Sequence, residues 1–271
     1  MSLIKLKAIY MLSKDECKKA TTKWKDTIKK WQKEKATVKE INKIIDPTAV
    51  FNFSQADCKW IHDNNKVSNF NAYAGIYDHK FILIIVPLNE NGEENTKLKE
   101  YPTVKLTDLK DDITLTQIDI VTTKIETTLS KDLEVIERSK NVNLPTYNHP
   151  TIKEKDSIRE IIKWKNECLE WFSFMCSSKH KRKKIFTSFS IPSADLSSSD
   201  EGAVALFGFK RSSIYEMQIP ILVFVNITHK INTKKMAKSE EKRITPSIET
   251  NTKNWSHPSP PYANKSFSIF N

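Results

Sequence analysis

Cys58 and His62 stand four residues apart, as do Cys176 and His180. On a helix that spacing puts a thiol and an imidazole on one face, which is half of a zinc site or a cysteine nucleophile beside its base. Structural zinc takes four ligands, so the fold would have to bring the two half-sites together. Thiol activation likewise depends on spatial neighbours that a sequence does not display. Asp111-Asp112 and Glu93-Glu94 are adjacent carboxylates of the kind that loops present to solvent. The chain contains no P-loop, GxGxxG or GxSxG pattern, and its four glycines are too few for phosphate-cradling loops of the usual kind. No catalytic residue, cofactor-binding residue or metal-ligand set is assigned, and no cofactor or small-molecule substrate is expected.

The best candidate for binding is the run Lys179-His180-Lys181-Arg182-Lys183-Lys184. Its five cations, Lys179, Lys181, Arg182, Lys183 and Lys184, can neutralise phosphates with salt-dependent affinity. A solvated loop between a helix and a strand has the same composition, and both readings stay open. Phe186 and Phe189 are close, but their alternation with Ser and Thr suits the inward side of a strand better than a base-stacking platform. The acidic stretch 197–201 is a second partner for the run.

The formal net charge of +11 is unevenly spread. Residues 1–50 hold 13 Lys/Arg against 6 Asp/Glu, 51–100 hold 5 against 7, and 101–150 hold 6 against 8. Residues 151–200 hold 10 against 7, and 201–271 hold 10 against 5. The excess sits on the first helix, the 179–184 run and the tail, a placement suited to a polyanion or an acidic protein surface.

The elements that must position these groups come in two similar sets. Lys23-Trp24-Lys25 is followed by Trp31, and Lys163-Trp164-Lys165 by Trp171 at the same distance. Phe53-Ser54 with Ala56-Asp57 is echoed by Phe189-Ser190 with Ala194-Asp195. Ala72-Tyr73-Ala74-Gly75-Ile76 is echoed by Ala205-Leu206-Phe207-Gly208-Phe209, each leading to an apolar run. The expectation is an internal repeat.

In the first set, Ser13-x-x-Glu16 predicts a capping box opening a helix whose Cys17, Ala20, Trp24, Ile28 and Trp31 form one buried stripe. Thr37-x-x-Glu40 and Ser54-x-x-Asp57 predict two further short helices, the latter with Trp60 and Ile61 on its apolar side. Phe70 to Ile76 and Phe81 to Pro87 read as a hairpin around Asp78-His79-Lys80, with a turn at Asn89 to Gly92. In the second set, Thr151-x-x-Glu154 opens a helix with Ile158, Ile161, Trp164, Cys168, Trp171 and Met175 on its stripe, and 203–209 and 215–228 form the hairpin. Residues 106–139 are ambiguous: Ile113 to Val121 is rich in Ile, Val and Thr as a strand is, while Ile118, Val121, Ile125, Leu129, Leu133 and Ile136 keep helical spacing, and the persistence of that spacing favours mostly helix.

The expected fold class is therefore α+β: two related units, each a long amphipathic helix plus a short helix packed on an antiparallel hairpin or sheet, followed by an irregular C-terminal tail. The units are placed at 1–140 and 151–230, joined by a linker at 141–150. The tail at 231–271 is Lys/Ser/Pro-rich and expected to be extended or disordered. Its Trp255, Tyr262, Phe267 and Phe270 are candidate anchors on a partner. The four cysteines form no CxxC pair and read as buried free thiols in a reducing compartment, which places the chain in the cytoplasm. The N-terminal apolar residues lack the long core and cleavage site of a secretion signal, and no apolar run is long enough to span a membrane.

The stretch 70–76, the run 81–87 and the turn Asn89-Glu90-Asn91-Gly92 resemble the strand–strand–turn signature of small uncharacterised proteins common in the Bacteroidetes group. Those proteins also place a short helix before the first strand, as 54–61 does here. The likeness covers about 50 residues per copy and implies no activity. The expected function is non-enzymatic: protein–protein interaction or a structural part of a larger assembly, through strand edges, basic surface and tail. The alternatives are nucleic-acid binding through the 179–184 cluster, and an enzyme with a site between the two repeats.

Overall fold

The structure is a computed structural model that describes residues 9–118, 123–141, 154–196, 202–213, 216–227, 249–250, 252–253, 256–260 and 269–270. Of the expected linker at 141–150 only Asn141 is described, at the end of a strand; 142–150, the capping residue Thr151, the acidic stretch 197–201 and Trp255, Tyr262 and Phe267 lie outside the described residues.

The first strand, β1 (Met11–Ser13), leads directly into α1 (Lys14–Glu34). The Ser13 hydroxyl accepts the Glu16 N–H, and the Glu16 carboxylate accepts the Ser13 N–H at 2.9 Å, so two amides the helix cannot pair are satisfied reciprocally. Lys35 closes the helix in the left-handed region at φ 52°. The same boxes form at Thr37, before α2 (Val38–Asn42), and at Ser54, which ends β2 (Val50–Ser54) and opens α3 (Gln55–Asn64). The hairpin follows as β3 (Asn69–Tyr77) and β4 (Lys80–Val86), its turn held by Asp78 and His79 at positive φ. Gly92, at φ 75°, makes the next turn, and β5 (Glu100–Thr107) returns beside β4.

Residues 113–141 differ from expectation. They form strands β6 (Ile113–Ile118), β7 (Thr123–Leu129) and β8 (Val135–Asn141), an antiparallel meander, where the apolar spacing predicted a helix. Ile113 and Leu115 are buried with Thr114 exposed between them, a period of two. The stretch is dense in Thr, Ile and Val, whose branched Cβ favours a pleated strand over a helix.

The long helix α4 (Glu154–Cys176) continues into the short α5 (Lys179–Arg182). Then come β9 (Ser188–Pro192), a 3₁₀ turn at Ser193–Asp195, and the hairpin β10 (Gly202–Arg211) and β11 (Gln218–Asn226). Three short strands follow: β12 (Glu249–Thr250), β13 (Thr252–Lys253) and β14 (His257–Ser259).

Together these make a mixed α+β protein around one large antiparallel sheet, ordered β13-β11-β10-β2-β5-β4-β3-β9-β14 and rolled into a nearly closed barrel. The two ends of that path, β13 and β14, belong to one stretch of chain, residues 252–259. Between them Ser256 accepts the Leu222 N–H at 2.7 Å and donates to the Leu222 carbonyl at 3.1 Å. Strand β13 on β11, Ser256 on Leu222 and strand β14 on β9 thereby bridge the seam. The small sheet β12-β6-β7-β8 packs Leu115, Leu129 and Leu133 on the outer face of β10 and β11.

The barrel interior is filled with rings. Trp24 of α1 lies 5.0 Å from Phe81 and 6.1 Å from Phe172, and Trp164 of α4 stacks on Phe207 at 4.4 Å. Rings that large, fully removed from water, are the main source of stability here, each costing about 3–5 kcal/mol if truncated to Ala. On α4 the fully buried ring beside Trp164 is Phe172, while Trp171 is half-buried against Phe172 and Phe209. Ile158, Ile161, Trp164, Cys168 and Met175 of the expected stripe are buried, and Trp171 alone gives way to its neighbour Phe172.

Candidate binding surface

The lysines of α1 and the run at 179–184 are about 150 positions apart in sequence and adjacent in the fold. Because the apolar stripe of α1 faces the core, Lys18, Lys19, Lys23, Lys29, Lys30 and Lys33 are left on its outer side. An open depression of about 720 Å³ along this side is lined by Lys18, Lys19, Lys23 and Lys30 with Thr22, Thr27 and Asp26. Asp26 pairs with Lys29 at 2.7 Å, an exposed contact worth little once salt screens it. Half-buried Lys25 has its ammonium pKa lowered by burial and then by the neighbouring Lys29.

The basic run is pinned against the far end of the same helix. Ser178 caps α5 by accepting the Lys181 N–H, and the Arg182 guanidinium donates to the Gln32 side-chain carbonyl on α1. Four residues on, the Phe186 carbonyl accepts the Trp24 indole N–H at 2.9 Å inside the core. Lys179, His180 and Lys183 are exposed, and Lys181 and Lys184 are half-buried. Lys181 places its ammonium 3.8 Å from the centre of the Phe174 ring and donates to the Ser177 hydroxyl at 3.3 Å. Phe174 is 58 % exposed, so a cation and an aromatic ring stand together at the surface. Sequence reading missed Phe174 and Gln32. The signal for Phe174 was its position off the apolar stripe of α4; nothing local marked Gln32.

The cysteines do not assemble a reactive or metal-binding centre. Burial pushes the thiols of Cys17 and Cys168 up to about 12 and that of Cys176 up to about 11, which keeps them protonated and poorly nucleophilic. Cys58 is buried while His62 and His180 are exposed. Among the described residues no three His, Cys, Asp or Glu side chains come together as a metal-binding group. The contact between α1 and α4 is filled by Trp24, Trp31 and Phe172.

Of the aromatic residues expected to anchor a partner, Phe270 requires correction. It is 3 % exposed and packed in the protein's own core, 5.0 Å from the Tyr73 ring and 5.5 Å from that of Tyr101. No helix among the described residues is long and apolar enough to cross a membrane. Comparison with protein-family models, curated proteins and solved structures gives no match.

Proposed function

We propose that this chain is a non-enzymatic binding protein, a component of a larger assembly, whose basic side receives an acidic protein surface. The observation that carries the reading is the bond between Arg182 and Gln32, which fixes the 179–184 run beside the lysine face of α1. Two separately weak basic features become one continuous ridge, with field enough to steer and orient an acidic partner. The strand edges serve less well, since β13, Ser256 and β14 bridge the seam of the main sheet. The outer strand β8 pairs only with β7 among the described residues.

Two related α-then-β units are part of this proposal. The pairing order β2-β5-β4-β3 is matched by β9-(β14/β13)-β11-β10 around the barrel, which supports the repeat. Ala72 pairs with Phe189 and Ala205 with Phe51, so the registers support Phe51, rather than Phe53, as the counterpart of Phe189. Gly75 lies under Ala20 and Gly208 under Glu160, each four residues before the tryptophan of a KWK triplet.

A second reading, nucleic-acid binding, is favoured by the Lys181 ammonium over exposed Phe174, since rings beside cations are what single strands stack on. The two readings separate in one experiment. Fluorescence anisotropy of labelled polyglutamate and of a labelled oligonucleotide would be followed through a salt series, with the wild-type chain and with Phe174→Ala and Lys179→Glu/Lys183→Glu variants. An acidic-protein ridge binds polyglutamate, is weakened by the charge reversals and tolerates Phe174→Ala. A nucleic-acid site prefers the oligonucleotide and weakens with Phe174→Ala as well. Failure of both probes to bind at low salt overturns both readings.

A further inference from the structure

The outer face of the β3–β4 hairpin carries Tyr73, Ile82, Ile84 and Val86, all buried. Gly75 pairs with Ile82 and Tyr73 with Ile84, as Gly208 pairs with Ile221 and Leu206 with Val223 in the other hairpin. The two outer patches therefore match position for position, and their covers differ. Leu206, Ile221 and Val223 lie beneath the leucines of the β6–β8 meander, which is integral to the fold. Tyr73, Ile82 and Ile84 lie in one cluster with Leu12 and Tyr101 and with Phe270 from the far end of the chain.

That end is held by a built site. Glu94 is 5 % exposed, and its Oε1 accepts the Tyr73 hydroxyl at 2.6 Å and the Asn71 side-chain amide at 2.9 Å. Its Oε2 accepts the backbone N–H of Ile269 at 2.6 Å. The adjoining Phe270 ring meets Tyr73 and Tyr101 edge-on. A buried carboxylate for one backbone N–H, beside a two-tyrosine cradle for one ring, reads an aliphatic–phenylalanine pair presented in a turn.

We propose that this pocket exchanges its occupant between copies of the chain: Ile269-Phe270 of one molecule seats on Glu94, Tyr73 and Tyr101 of a second, and reciprocally. The sequence seen in the pocket is present on every copy, so the fit in trans is the fit already observed. Eight residues lie between Pro260 and Ile269, and a chain of that length can span at most about 30 Å, enough to reach a neighbour. Exchange of identical segments is a low-cost route to a closed two-fold dimer, and the intramolecular and intermolecular joints differ chiefly in effective concentration. The pocket is separate from the basic ridge, so its fate leaves the reading of that ridge untouched.

Sedimentation velocity of the full chain over a dilution series tests the exchange. A dimer is expected at high concentration, and Phe270→Ala or Glu94→Gln should each raise its dissociation constant about tenfold or more. Mixing the two variants should restore a heterodimer, because one intact tail can then enter one intact pocket. A wild-type chain that stays monomeric at every concentration overturns the proposal. So do variants that dimerise like the wild type, a mixture that fails to associate, or a Phe270→Ala chain that unfolds and shows the ring to be a fixed part of the core.

Discussion

A Cβ built on Gly75 would stand 3.1 Å from the Cβ of Ala20, so strand β3 and helix α1 meet with only the Ala20 methyl between their backbones. The contact lets α1 cross close over the hairpin before Trp24 enters the barrel. Gly75→Val is expected to destabilise by about 1–3 kcal/mol through overpacking. Gly75→Ala should cost less when Ala20→Gly is present than when it is absent. Urea unfolding of the two single variants and the double variant measures that coupling; costs that simply add would contradict the contact.

The two core tryptophans should respond unequally to Phe. Trp24 donates its indole N–H to the Phe186 carbonyl at 2.9 Å, whereas the buried indole N–H of Trp164 has no acceptor among the described residues. Trp24→Phe strands a buried carbonyl, and Trp164→Phe removes a buried donor that is already unmet. Chemical denaturation is expected to find Trp24→Phe the costlier by about 1–2 kcal/mol. Equal losses would mean that ring volume alone decides.

What was legible in the sequence was local. The boxes at Ser13, Thr37 and Ser54 announce themselves because donor and acceptor lie three residues apart. Hairpins β3–β4 and β10–β11 were readable from apolar runs flanking short turns. The segment 113–129 misled because side-chain spacing alone does not separate an amphipathic helix from a strand pair when β-branched residues dominate. Barrel closure was illegible for a different reason. It rests on pairs such as Phe53 with Ala203 and Phe70 with Ile191, and on Ser256 with Leu222, whose partners no short window contains. The basic ridge divided the same way: its lysines were visible as runs, and their adjacency depended on Arg182 meeting Gln32.

Acid should weaken the start of α1 and of α2 first. The Glu16 carboxyl is held below its ordinary pKa by the Ser13 hydroxyl, then by the Ser13 N–H and the Tyr77 hydroxyl. That of Glu40 is lowered by the Thr37 N–H and then by the Thr37 hydroxyl. A carboxylate whose folded pKa lies below its unfolded value contributes stability that is present above the unfolded value and lost as pH falls through the folded one. Melting temperature is expected to drop as pH descends through the carboxylate range. A Glu16→Gln/Glu40→Gln chain should show a shallower drop, and parallel curves for the two chains would count against the boxes as its source.

The seam of the barrel offers the sharpest test of how the sheet is closed. Ser256 is buried, and its one hydroxyl both accepts from and donates to the backbone of Leu222, standing in for the ladder between β13 and β14. Ser256→Ala keeps the backbone path and leaves a buried N–H and carbonyl on β11 without that hydroxyl, at a cost of about 1–3 kcal/mol. Ser256→Thr retains the hydroxyl and should cost less, provided the added methyl fits. If the tail strand truly holds the barrel shut, Ser256→Ala should also speed proteolytic cleavage at Lys253, because local opening of 252–259 becomes more frequent. Unchanged cleavage together with unchanged stability would show that the pairs on either side, Val225 with Thr252 and Phe189 with Pro258, close the seam without the serine.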